Sequence, residues 1–169
     1  MRLFWERGYE RTSITDLTKE LGIAAPSLYA AFGGKRALFE EAVARYEGSP
    51  ASVTTVGLAG ESPRRVLQIM LDQAAREYTI ATHPRGCLVN SEPALAVNRA
   101  QNRELTAARL RELAHDARSG SNAAPSNESD TLAAFAHVLL AGLSSYARDG
   151  ASEEQLRRVA ELALRAVPE

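Results

Sequence analysis

The chain has 169 residues, and its 20 Lys and Arg against 21 Asp and Glu leave a net charge of −1, which excludes a basic nucleic-acid-coating stripe and an acidic disordered tail. Hydrophobic residues make up 45 %, enough for a real core, and 30 alanines with few aromatic residues favour helix over sheet. A single cysteine, Cys87, excludes a disulfide-stapled scaffold, and without a Cys/His cluster no metal or other cofactor is expected.

Met1–Arg7 carries Arg2, Glu6 and Arg7, so it does not read as a signal peptide. It reads instead as the end of a helix that buries Leu3 and Phe4 and stops at Gly8. Ser13 and Asp16 form a capping-box-like pair ahead of a short helix burying Ile14, Leu17 and Leu21, and Gly22 ends it. A second short helix opens at Ala25-Pro26, where proline suits the first turn, and turns Leu28 and Phe32 inward before Gly33-Gly34. The spacing of Leu38, Phe39, Ala42, Val43 and Tyr46 predicts a helix over 35–47.

Gly48 to Ser62 is rich in Gly, Ser, Thr, Ala and Pro and reads as a loop or boundary. After Pro63 a long helix aligns Val66, Leu67, Met70, Leu71, Ala74 and Tyr78. His83-Pro84 and Gly86 break it, and a short segment over Cys87–Ala94 follows. Helical spacing resumes from Val97 to Arg118, with Leu110, Leu113, Ala114 and Ala117 on one side. Ser119–Asn127 is a polar loop, and two last helices span Glu128–Asp149 and Ser152–Val167, the second opened by a Ser152/Gln155 capping box. The apolar, uncharged run Thr131–Ala147 falls short of the ~20 residues that a spanning helix needs. No membrane association is expected, and the expected compartment is the cytoplasm.

Two short helices around a glycine turn, with Leu17, Leu21, Ile23 and Leu28 as the internal positions, make a helix-turn-helix. The run Phe4-Trp5-Glu6-Arg7-Gly8-Tyr9-Glu10-Arg11-Thr12-Ser13-Ile14 and the run from Gly22 to Phe39, with its Leu28-Tyr29 and Phe32 helix followed by Lys35 and Leu38-Phe39, resemble the DNA-binding domain of the TetR/AcrR family of bacterial transcriptional regulators. Beyond about residue 47 the likeness is one of architecture only. Family members usually carry a further helical turn ahead of the position of Met1.

The resemblance implies an all-α fold with two parts. Residues 1–47 would be a helix-turn-helix DNA-binding domain of three to four helices, and 48–169 a larger helical domain for effector binding and dimerisation. It implies phosphate contacts from Thr12, Ser13 and Thr15, whose helix N-terminus also attracts anions. Tyr29 and Lys35 would add a hydroxyl and a charge. Ala24, Ala25, Pro26 and Ser27 would face base edges of double-stranded DNA. Ala25 and Pro26 can meet a thymine methyl but make no bidentate bond, so shape readout is expected to contribute. Residues 1–47 hold seven basic and seven acidic residues, so affinity is expected to lean on dimerisation.

Leu132–Leu143 is apolar nearly all round and needs burial on several sides. One side is assigned to the protomer core and another to a second copy of the chain. The candidate dimer residues are Leu132, Leu139, Leu143, Leu156, Val159 and Ala163. The candidate effector-binding residues are Met70, Tyr78, Cys87, Phe135 and His137, of which Met and Tyr suit a mixed apolar ligand. Each is equally readable as core, and Cys87 as either a buried apolar residue or a thiol sensor following Gly86.

The function so implied is a homodimeric repressor released from a palindromic operator by a small-molecule effector. Two other readings stand beside it. One is a helical dimerisation or adaptor module with impaired DNA binding. The other is a small helical enzyme, for which no nucleophile–base pair, paired carboxylates or phosphate loop is present.

Overall fold

The computed structural model describes residues 1–49, 51–117 and 127–167. Among these the chain forms ten α-helices and no strand. Helix α1 (Arg2–Arg7) buries Leu3, Phe4 and Trp5. Helix α2 (Ile14–Leu21) begins with the predicted capping box, Ser13 and Asp16 each closing on the other's backbone, and ends at Gly22 in the left-handed conformation (φ +66°). That conformation is nearly free for glycine and strained for other residues. Helix α3 (Ala25–Phe32) carries proline in its first turn, and α4 (Lys35–Glu47) buries Phe39, Val43 and Tyr46.

Leu17 of α2 and Leu28 of α3 are buried and fix the angle between the two motif helices, with Ile14 and Ile23 packed partly against them. Leu21 departs from the expectation. It is 47 % exposed at the last residue of α2, where the buried side of the helix is carried by Leu17.

The Gly- and Ser-rich stretch after residue 48 is not a plain loop. It holds a short helix, α5 (Val53–Gly57), which buries Val53 and Thr54. Met70 of the next helix packs so closely that a Cβ on Gly57 would lie 2.0 Å from it, so tertiary contact rather than propensity holds this turn. Helix α6 (Pro63–Glu77) is the axis of the larger part, with Val66, Leu67, Met70, Leu71, Ala74 and Ala75 all buried. Around it pack α5, α8 (Ala96–Ala117), α9 (Glu128–Arg148) and α10 (Glu153–Leu164). Between α6 and α8 lie α7 (Leu88–Ser91) and a 3-10 turn, Pro93–Leu95. The Ser152/Gln155 capping box opens α10 as predicted. The polar loop expected over Ser119–Asn127 falls, up to residue 126, outside the described residues, as do Arg118 and the side chain of Ala117.

Helix α9 explains why its sequence is apolar all round. Ala133, Ala136, Leu140, Leu143 and Ala147 form one buried stripe. Ala134, Val138 and Ala141 form a second stripe that the protomer leaves exposed, with Val138 at 71 %. Arg85 and Ser144 bind α9 to the loop after α6. The Arg85 side chain donates to the carbonyls of Ala147 (2.6 Å) and Ala151, and the Cys87 amide donates to the Ser144 hydroxyl (2.9 Å). Among the described residues no helix is long and apolar enough to cross a membrane.

Candidate nucleic-acid interface and effector region

The first turn of α3 stands clear of the rest of the chain. Ala24, Pro26 and Ser27 are exposed and Ala25 half-buried, on a helix anchored from behind by Leu28. Tyr29 is 53 % exposed beside them. Its ring edge lies 3.5 Å from where a Cβ on Gly34 would stand, so the turn into α4 holds the ring in place. Lys35 starts α4 with its Nζ 4.2 Å above the centre of the Tyr9 ring, a cation–π contact that fixes the ammonium near the same face. Thr15 is exposed in the first turn of α2. Together these groups form a small surface of one reading turn flanked by a hydroxyl and a cation, the layout of a motif that sets one helix into the major groove.

Two members of the predicted phosphate set have other work. Thr12 is fully buried, and its hydroxyl donates to the carbonyl of Gly8 (2.8 Å), so it holds the link between α1 and α2 and is out of reach of DNA. Ser13 is exposed, but its hydroxyl caps α2, accepting from the Asp16 amide (3.1 Å) and donating to the Asp16 carboxylate (2.6 Å). Hydrogen bonds from that hydroxyl, and from the Ser13 amide, hold the Asp16 carboxyl below its ordinary range.

The predicted effector residues separate. Met70 and Tyr78 are fully buried in the core, and Cys87 lies beside them with 7 % exposure. The Tyr46 hydroxyl donates to Cys87 Sγ (3.3 Å), and Tyr78 also hydrogen-bonds the thiol. Burial pushes the Cys87 thiol up and outweighs these bonds. The arrangement therefore suits a packed thiol and not a sensor held as thiolate. The native protein should resist maleimide or an aromatic disulfide reagent, with labelling at least ~10²-fold slower than in denaturant, where the thiol is free. Rapid stoichiometric labelling of the folded protein would refute this.

Phe135 packs partly against the core. His137 lines an open cleft of about 450 Å³ with Asn90, Arg99, Arg103 and the exposed stripe of α9. Its Nε2 is 3.0 Å from the Thr106 hydroxyl. Burial, with Arg103 nearby, lowers its pKa to about 4, so the ring is neutral at pH 7. An unfolded chain takes up this proton near pH 6.5 and the folded one near 4, so folding stability is complete above 6.5 and falls as pH drops towards 4. The loss between pH 7 and 5 should be about 2 kcal/mol by urea unfolding, and His137→Gln should remove most of that pH dependence. An equally steep acid limb in the variant would place the effect elsewhere.

The predicted dimer set needs correction. Leu143 and Leu156 are buried to 2 % and 0 % in the protomer's own core and have no face left for a partner. Leu132, Leu139 and Ala163 pack partly against that core, and Val159 is 38 % exposed. The apolar residues left uncovered on α9 and α10 include Val138, Tyr146 and Leu162, which the sequence reading missed. Their signal was a second helical stripe, Ala134-Val138-Ala141, running beside the buried one.

Fold and surface define an all-helical helix-turn-helix protein with a larger helical second part. The family described as bacterial regulatory proteins, tetR family, matches residues 1–42. The HTH-type transcriptional repressor ComR of Escherichia coli K12 is 32 % identical over the whole chain and 85 % of its own length. BdcR, a repressor of the same organism, is 31 % identical over 98 % of the chain and 83 % of its own length. Among solved structures, a cysteine mutant of the TetR-family regulator CifR, complexed with 26-bp operator DNA, is 34 % identical with a TM-score of 0.86, covering 99 % of this chain and 92 % of that one. The chain belongs to the tetR family of bacterial regulatory proteins. It is a DNA-binding transcriptional regulator and not an enzyme.

Proposed function

We propose that the chain acts in the cytoplasm as a homodimeric repressor that reads a palindromic operator and leaves it when a small molecule binds. Residues 1–47 supply the DNA-binding part, and 48–169 the dimer and effector part. The observation that carries this reading is the exposed first turn of α3, held by Leu17 and Leu28 and flanked by Tyr29 and Lys35. Thr15 and Tyr29 provide hydroxyls for phosphate, Lys35 provides charge, and Ala24, Ala25, Pro26 and Ser27 meet the base edges. One such face reads only a few base pairs, and its charge balance is neutral. Two faces on one dimer, about 34–36 Å apart, give useful affinity.

The exposed stripes of α9 and α10, through Val138, Val159 and Leu162, supply the apolar surface for a second copy. An effector acts by binding one spacing of the two α3 helices better than the other. The names of ComR and BdcR as repressors, and the operator bound by CifR, support the same direction.

The test is selection of binding sites from random duplex DNA by the purified protein. The expected product is a palindrome whose half-site centres lie one helical turn, or a multiple of it, apart. Failure to enrich any sequence from a stable, folded preparation would sink the reading.

A further inference from the structure

Glu92 lies between α7 and the 3-10 turn, buried to 4 % exposure, and both of its carboxylate oxygens take backbone amides. Oε1 accepts from Ala94 (3.0 Å) and so caps the 3-10 turn that follows. Oε2 accepts from Tyr9 (2.7 Å), 83 positions away, in the link between α1 and α2. A buried carboxylate that holds an amide at this distance makes a strong, directional contact, because its charge has no water to turn to. Gly8 lets the link come so near. A Cβ there would stand 3.3 Å from Oε2, at a φ of +83° that other residues avoid.

Glu92 is itself fixed from the far side. One nitrogen of Arg99, on α8, donates to the carbonyls of Val89 (2.8 Å) and Glu92 (2.7 Å). On the near side, the Tyr9 ring packs on Phe39 of α4 (4.8 Å between centroids) and lies under the Lys35 ammonium. A run of single contacts thus leads from α8 through Glu92 and Tyr9 to Lys35. The rest of the DNA-reading part has its own attachments to the larger part. Trp5 of α1 stacks on His83. At the end of α4 the Glu47 carboxylate accepts from the Asn98 (2.9 Å) and Asn102 (3.1 Å) side chains of α8. Loss of the Glu92–Tyr9 bond therefore frees the link and leaves α1 and α4 attached.

We propose that Glu92 is a positioning residue for DNA binding, which holds the Tyr9 amide and so sets the ring that aims the Lys35 ammonium; this rests on the phosphate role proposed for Lys35. The carboxylate touches no DNA. It acts through Tyr9, from a segment that belongs to the larger part of the chain.

Glu92→Asp separates the work of the two oxygens. Aspartate is a good cap for the 3-10 turn, but it is one methylene, about 1.5 Å, too short to reach Tyr9 as well. The full-length variant should keep its fold. By NMR its Tyr9 amide proton should move upfield and exchange at least about tenfold faster. Its affinity for the operator selected from random DNA should fall about fivefold. Gly8→Ala leaves Glu92 in place and presses on the same bond from the link side, with the same expected loss. The decisive measurement is a double-mutant cycle with Lys35→Ala. In that background each substitution should cost less than about twofold, because the cation that it misdirects is gone. A residue that only supports the fold would cost as much without the lysine as with it. Equal losses in the two backgrounds, a Tyr9 amide unmoved in Glu92→Asp, or wild-type affinity in both folded variants would each overturn the proposal. Unchanged affinity in Lys35→Ala alone would remove the phosphate role and the proposal with it. A loss with Lys35→Ala and none with Glu92→Asp would remove the positioning role only.

Discussion

Tyr29→Phe combined with Lys35→Ala should weaken binding to the selected operator by roughly 10²–10³-fold. Each protomer loses a neutral hydroxyl–phosphate bond and a charge-assisted one, and dimer symmetry doubles both losses. The fold should survive, because phenylalanine keeps the ring that packs beside Gly34. Lys35 gives up only a half-buried cation–π contact with Tyr9, about 1 kcal/mol. The lysine part has its own mark. The slope of log affinity against log salt should flatten by about two per dimer, one for each ammonium removed. Filter binding or fluorescence anisotropy over a salt series reads both quantities. Wild-type affinity in the folded double variant would show that the face is not where DNA sits.

Gly86→Ala should lower the melting temperature by about 10 °C. Two costs add. Gly86 has φ +83°, where any other L-residue is strained by roughly 1 kcal/mol or more. The new Cβ would also stand 2.8 Å from the Ser144 carbonyl and 2.9 Å from both its Oγ and Arg148 Cγ. Arg148 can swing away, but the backbone of α9 cannot. If the loop retreats instead, it pulls on the Cys87–Ser144 bond and on the two carbonyl bonds of Arg85. A total of about 3–4 kcal/mol is expected. Gly150→Ala is the control. It has φ +101° but nothing within 4 Å of its Cβ, so it should lose only the strain term. Equal effects of the two substitutions, by calorimetry or circular dichroism, would mean that the contact with α9 contributes nothing.

Gly86 belongs to a connector that also touches α1. Trp5 of α1 stacks on His83 (4.6 Å between centroids) and meets Tyr46 edge-on (5.1 Å). The same loop carries Arg85 and Gly86 onto α9. Helix α1 and the helix with the exposed apolar stripe thus touch one connector, through an aromatic contact on one side and hydrogen bonds on the other.

Features that depend on local chemistry were legible from the residues alone. The Ser13/Asp16 and Ser152/Gln155 capping boxes, the glycine turn at Gly22 and the proline-opened α3 are all set by residues within a few positions of one another. The stripe of Val66, Leu67, Met70 and Leu71 is set by the helical period. The resemblance that named the family lies in this same local pattern. Features that depend on distant partners emerged from the packing of the helices. A Thr12 hydroxyl looks the same in sequence whether it meets phosphate or the Gly8 carbonyl, and burial under α1 chose the second. The short helix α5 exists because Met70 closes over Gly57. Leu143 and Val138 are both apolar residues of α9, and the packing of neighbouring helices, not hydrophobicity, buries one and leaves the other exposed.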